Sequence, residues 1–308
     1  MITAQLVKEL RELTGVGMMD CKKALAETDG DLKKAVDFLR EKGLASAAKK
    51  AGRIAAEGVV SSYISEDYSK GTLVELNCET DFVAINDLFV KLSKEICQLA
   101  CESGCDDIEK LECLEYRFDN EFATVKDAII SLVSKLGENI SLRRVVNYYS
   151  DCGVVNSYIH GDGKIGVIVE LKSDLKNEEV AKIAKDICMH IAASNPLFLD
   201  SNSVDQETID RESQILRTRA MNSGKPEKVL DKIVEGGIKA YFDDVCLLNQ
   251  SFVKDPGLSV GDFLNSKSKE LGTKIEVVRF SRFEKGEGIE KTEENFAEEV
   301  QKQMNKGK

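Results

Sequence analysis

The chain repeats itself. VVSSYI at residues 59–64 returns as VVNSYI at residues 154–159, and GTLVEL at residues 71–76 returns at the same spacing of 95 as GVIVEL at residues 166–171. Ten of the 18 positions from 59 to 76 are identical in the second copy, far above chance. KEIC at residues 94–97 recurs as KDIC at residues 185–188, now 91 residues on, so the second copy has lost four residues between strand and helix. Each copy reads strand, turn, strand, amphipathic helix. The spacing therefore predicts an α+β fold built from two duplicated subdomains, each a small antiparallel sheet with helices.

The flanks are helical. Residues 1–53 read as three short helices: Thr3 caps the first, TGVG breaks it, MMDCKKALAET forms the second, and the DGD run starts a third that ends at Gly43. This is a small bundle similar to ubiquitin-associated domains, and AAKKAGRIAAEG after it reads as a helical linker. EFATVKDAIISLVSKLG has helical periodicity, and SLRRVVNYYS reads as a strand joining one of the sheets. From Val204 to Val245 two helical patterns meet at SGKP, an antiparallel hairpin too thin to bury its own apolar face, so a partner is expected. TKIEVVRFSRFEKGEGIEK closes with a strand and an acidic terminal helix. The expected units are residues 1–53, 54–150, 151–203, 204–246 and 247–308, the last returning a strand to the second subdomain.

Composition narrows the function. Charged Lys8, Glu9, Arg11 and Glu12 interrupt any leader near the start, and no run of 18 apolar residues exists, so neither a secretory signal nor a membrane span is expected. Nine cysteines at irregular spacing then read as reduced thiols in a cytoplasmic setting. The net charge of −11 argues against bulk nucleic-acid binding, although residues 1–53 carry a balance of +3. His160 and His190 are the only histidines, GxxxxGK[ST] is absent, and Cys97, Cys101 and Cys105, four apart, read as a buried thiol stripe lacking a fourth zinc ligand. No catalytic site, metal or cofactor is expected.

The copies differ most after the second strand. The first has CETDFVAIND where the second has SDLKNEE. Two readings of Asp81 and Phe82 stand: Asp81 caps the next helix while Phe82 tucks into the core, or Phe82 is an exposed interface wedge.

TGVGMMDCKKAL, ETDFVA, LGENISLRRV, SYIHGDGKIGVIVE, MHIAASNP, SGKPEKVLDKIVEGGIKAYF and RFEKGEGIEK, in that order, resemble the elongation factor Ts family across essentially the whole chain. The resemblance implies a nucleotide exchange factor, not an enzyme, whose partner is elongation factor Tu in its GDP-bound and nucleotide-free forms. It implies that Thr80, Asp81, Phe82 and Val83 displace the partner's magnesium, with Asp81 and Phe82 entering its nucleotide domain. Leu136 falls where the family presents an apolar wedge, and His160 where it touches the partner's third domain. Met18 and Met19 fall on a head that docks the nucleotide domain, and the hairpin resembles the family's coiled-coil dimerisation module. Two rivals are a ubiquitin-type adaptor, which explains only the head, and a thiol-dependent enzyme, which lacks a basic partner at any suggestive spacing from a cysteine.

Overall fold

A computed structural model describes residues 2–118 and 121–290. Three helices open the chain, α1 (Ala4–Thr14), α2 (Met18–Glu27) and α3 (Leu32–Lys50). Thr3 and Asp31 cap α1 and α3 through their side chains, and Gly15 ends α1 in the left-handed conformation. Leu10, Cys21, Leu25 and Leu39 form the bundle's buried core.

The third helix does not end at Gly43. It runs on to Lys50, into the first four residues of the expected helical linker, whose remainder is not helical but turn, irregular chain and the start of a strand; Gly43 is where α3 meets a later helix, α7 (Val125–Leu136). A Cβ on Gly43 would stand 2.5 Å from the Ser134 hydroxyl. The glycine thus serves close helix approach, not a helix stop, and Arg40 facing Asp127 at 3.9 Å strengthens the junction.

The first unit contains β1 (Glu57–Ile64), β2 (Lys70–Cys78), the single turn α4 (Asp81–Ala84), α5 (Asp87–Ser103), α6 (Ile108–Glu112), β3 (Glu115–Phe118), β4 (Glu121–Thr124), α7 and β5 (Ile140–Tyr149). The sheet order is β1-β2-β5, antiparallel, so SLRRVVNYYS does join a sheet. EFAT, read as helix from the sequence, is strand β4; Thr124 caps α7 by a reciprocal box with Asp127. Cys105 lies beyond the Gly104 cap of α5, so the thiol stripe stops at Cys101.

The second unit contains β6 (Gly153–His160), β7 (Ile165–Lys172), α8 (Glu178–Ser194), the hairpin α9 (Gln206–Asn222) and α10 (Glu227–Val245), then β8 (Ser251–Phe252), β9 (Asp255–Ser259), α11 (Val260–Leu271) and β10 (Glu276–Glu284). Its sheet order is β10-β7-β6. The acidic terminal helix expected from sequence falls outside the described residues.

The duplication therefore extends beyond the repeated sequence to the later helices of both units. α5 and α8 are each 17 residues long with asparagine caps, Asn86 and Asn177. α7 and α11 are each 12 residues long, boxed by Thr124 with Asp127 and Ser259 with Asp262, and ended by Gly137 and Gly272. The hairpin interrupts only the second copy. The units meet about a pseudo-twofold axis on which equivalent Ser62 and Ser157 hydrogen-bond at 3.0 Å. Around it, the Val60 N–H donates to the Gly163 carbonyl at 2.8 Å and the Val155 N–H to the Tyr68 carbonyl at 2.7 Å. Arg144 lies over Phe283 at 4.3 Å, and Arg279 over Tyr148 at 4.2 Å. Val60, Leu73, Tyr148, Val155 and Ile168 make the shared core.

Candidate functional site

The four residues present only in the first copy correspond to one structural feature, the single helical turn α4 between β2 and α5. Thr80 caps it, its hydroxyl accepting from the Val83 N–H at 3.4 Å. Val83 and Ala84 are buried in the first unit's core, which anchors the turn; burying one such side chain contributes about 1.5–3 kcal/mol. The same turn throws Asp81 and Phe82 outward. Phe82 is 79% exposed, so the staple reading fails, and Asp81 is not the cap. Ile85 at 72% and Leu88 at 50% follow at intervals of three and extend the apolar surface.

What holds the turn is a residue that motif reading passed over. Glu138, just beyond the α7 cap, accepts from the backbone N–H of Glu79 at 3.1 Å and of Thr80 at 3.0 Å, and from the Thr80 hydroxyl at 2.6 Å. Glu79 returns the contact, accepting the Asn139 N–H at 2.6 Å. Asn139 in turn donates to the Arg53 carbonyl at 2.8 Å, and Arg53 reaches Glu79 at 3.4 Å. Two sequence motifs, ETDF and GEN, are thus stitched together by exchanged carboxylate–amide bonds, which are about twice as strong as neutral ones. The signal was present in the sequence as two acids, one in each motif, but nothing local says they meet.

Leu136 precedes this knot and is half-buried against the first core. Met18 and Met19, at the start of α2, are 50% and 76% exposed. They sit on the head, which is joined to the site through the packing of α3 on α7 and the Asn139 bond to the Arg53 carbonyl. His160 ends β6 in the second unit, exposed, with its Nδ1 3.1 Å from the Tyr158 hydroxyl. The candidate residues therefore fall at three places: the α4 turn with the Leu136–Glu138 corner, the head, and the tip of β6.

Three buried cysteines, Cys78, Cys97 and Cys188, offer little nucleophilic character. All nine are free. Burial pushes the Cys97 and Cys188 thiols up and Cys78 up to about 12, which leaves them protonated. Cys78 is structural, its thiol donating to the Thr80 carbonyl at 3.2 Å. Among the described residues, no helix is long and apolar enough to cross a membrane, and no group of three or more His, Cys, Asp or Glu side chains is placed to hold a metal.

The family described as "Elongation factor TS" matches residues 79–287, from the start of the Glu138 knot to the turn after β10. The chain is 54% identical over 305 residues to elongation factor Ts of Clostridium novyi (strain NT), covering 99% of each chain. It is 55% identical over 306 residues to that of Clostridium botulinum (strain Eklund 17B / Type B), covering 99% of this chain and 100% of the relative. It is 54% identical over 308 residues to that of Clostridium acetobutylicum (strain ATCC 824), covering both chains fully. With an α+β fold and full-length likeness of this degree, the chain belongs to the elongation factor Ts family of translation elongation factors.

Proposed function

We propose that this chain is a guanine nucleotide exchange factor that binds GDP-loaded elongation factor Tu, disturbs its magnesium and phosphate site, and frees it to take up GTP. The observation that carries the reading is Phe82: a phenylalanine 79% exposed beside a free-standing carboxylate, on a turn whose other two residues are buried. A large apolar ring held in water costs solvation free energy, which a partner surface recovers.

The chemistry follows from magnesium. It demands near-ideal octahedral geometry and keeps several waters, so shifting the elements around it by a fraction of an ångström weakens it. Asp81 and Phe82 achieve this by displacing those elements, without touching nucleotide. A loss of ten-thousand-fold in GDP affinity needs about 5.5 kcal/mol of differential interface energy. One ring does not supply that; Met18 and Met19 on the head, Leu136, and His160 in the second unit add contacts that hold the turn in place. Coupling is reciprocal, so bound nucleotide weakens the factor's grip equally and releases it. No bond is made or broken by this chain, and no cofactor is required. The hairpin α9–α10, which leaves Ile215, Met221 and Val229 exposed, is assigned to self-association, and the working compartment to the cytoplasm.

Substituting Asp81 and Phe82 together with alanine tests the reading. GDP release from elongation factor Tu, followed by stopped flow, is expected to slow by about a hundredfold, while unfolding free energy changes by less than about 0.5 kcal/mol, since both side chains are exposed. Unchanged release rates would sink the wedge mechanism, and capture of ubiquitin in place of elongation factor Tu would favour an adaptor.

A further inference from the structure

The pseudo-twofold axis relates Tyr68 to Gly163, and the difference between them opens a groove. Tyr68, on the first unit's tight turn between β1 and β2 with φ 57°, is half-buried against the second unit's core of β6, β7 and α8. Its backbone carbonyl accepts from Val155. The second unit's equivalent turn, between β6 and β7, docks on the first unit and carries Gly163, whose carbonyl accepts from Val60 in the same way. The turns dock alike, yet one brings an aromatic ring and the other brings no side chain. Gly163 cannot simply gain one: its φ is 91°, and a Cβ there would lie 2.9 Å from the Val59 Cβ.

Where the ring is missing, a cavity of about 720 Å³ lies between β1, α5 and the β6–β7 turn. That is the size of pockets that seat a ligand or a side-chain cluster, about 300–1,000 Å³. Its walls include Val60, Val90 and Ile159, and it runs directly into Ala84 and Ile85 of the α4 segment. Its charged lining is one base, Lys94, and two acids, Glu95 and Asp162, beside mostly apolar and uncharged residues, which disfavours a phosphate or an acidic peptide and suits an apolar tip.

We infer that this groove receives an aromatic or large aliphatic side chain at the tip of a turn of elongation factor Tu, which takes in the first unit the place Tyr68 takes in the second. Two observations converge on that occupant. The second unit displays the mode of filling, a tight turn with one ring, and the groove is continuous with the turn assigned to the same partner. The inference rests on the exchange reading and adds an anchor behind the wedge: the wedge accelerates release, whereas the anchor supplies affinity.

The test uses the full chain with Val90→Trp, which fills the groove from α5, and a second variant with a photoreactive benzoylphenylalanine at Gln98 on the rim. Circular dichroism and a cooperative melt establish that each is folded. Val90→Trp is expected to weaken binding to elongation factor Tu, by titration calorimetry, by about tenfold or more, and light is expected to join position 98 to elongation factor Tu. Binding within about twofold of the unsubstituted chain, with exchange intact, overturns the groove assignment alone. So does cross-linking to a second copy or to residues 291–308 of the same chain. An unsubstituted chain that neither binds elongation factor Tu nor speeds GDP release overturns the exchange reading and the groove together.

Discussion

Thr80 donates two hydrogen bonds to the Glu138 carboxylate, one from its backbone N–H at 3.0 Å and one from its hydroxyl at 2.6 Å. The carboxylate thereby grips the residue immediately before the exposed Asp81 and Phe82. It is itself fixed at the end of α7, against which the head's α3 packs. Head, α7, Glu138 and turn form one mechanical sequence, so the exposed Asp81 and Phe82 are aimed by a carboxylate 58 residues away from Thr80.

Glu138→Ala should therefore slow GDP release by about tenfold even though Phe82 remains. Hydrogen bonds to a charged group contribute about 1.5–3 kcal/mol each when sequestered. Because Glu138 is half-exposed, a total stability loss of about 1–2 kcal/mol is expected in urea unfolding. Glu138→Gln keeps one carbonyl acceptor and should fall between. Release rates equal to the unsubstituted chain's, measured by stopped flow, would show that the turn is held by Val83 alone.

A second carboxylate ties the two units together. Glu75 on β2 is fully buried and takes Arg143 at 3.0 Å, Arg144 at 2.6 Å, the Asn77 amide at 3.1 Å and the Gly286 N–H at 2.8 Å. The last bond comes from the segment after β10, so the acid clamps the end of the second unit onto the first. Its repeat equivalent, Glu170, pairs with Arg279 at 2.7 Å. Glu75→Ala removes the buried acceptor shared by Arg143, Arg144 and the Gly286 N–H, while both guanidinium groups keep their contacts with the segment after β10. It should destabilise the chain by about 3–5 kcal/mol; a loss below about 1 kcal/mol in equilibrium denaturation would count against the clamp.

These acids mark the limit of what the sequence made legible. The repeat was visible from 59 to 76 because buried β-strand positions such as Val60 and Val155 tolerate few residue types. The match of α7 to α11 was not, because the hairpin shifts the spacing and only cap residues persist: Thr124 and Ser259, Asp127 and Asp262, Gly137 and Gly272. The same gap hid the β8–β9 pair and α11. Gly43 misled for a related reason: a glycine that ends a helix and one that admits a neighbour look identical without the neighbour. The turn at residues 80–83 was legible as an insertion, but its geometry was not. That geometry depends on Glu138, 58 residues further along the chain.

His190 gives a pH dependence that can be assigned in advance. It is fully buried; its Nδ1 accepts the Val253 N–H at 3.1 Å, so the proton sits on Nε2 and is donated to Gln250 Oε1 at 2.9 Å. Burial pushes its pKa below the ordinary histidine value, so the neutral ring is the folded form. The unfolded chain then takes up a proton first, near about pH 6.5. Stability is full above that value and declines as pH falls from it towards the lower folded pKa. The urea midpoint should drop between about pH 7.5 and about pH 5.5, and His190→Gln should reduce that drop at some general loss of stability. A slope unchanged in the variant would place the titrating group elsewhere.

The hairpin prediction depends on where the cut is made. Sequence alone suggests removing residues 204–246. The root of the hairpin, however, belongs to the second unit. The Leu197 and Phe198 N–H groups donate to the Val245 carbonyl at 2.9 and 3.1 Å, and Leu247 donates back to Phe198 at 2.9 Å. Val204, Val245 and Cys246 are buried there with Ile209, Tyr241 and Phe242 packed against them. Cutting at 204 and 246 would strip those carbonyl partners and open a small core, confusing lost folding with lost association. Replacing residues 210–240 with a short Gly–Ser bridge keeps the root and removes the exposed Ile215, Met221 and Val229. Light scattering is expected to report a dimer for the full chain and a monomer after this cut, and GDP release should stay within about twofold because the α4 turn lies in the other unit. A dimer that survives this cut would move self-association to another surface. A monomer that has lost exchange would mean that the second copy of the factor contributes to the site.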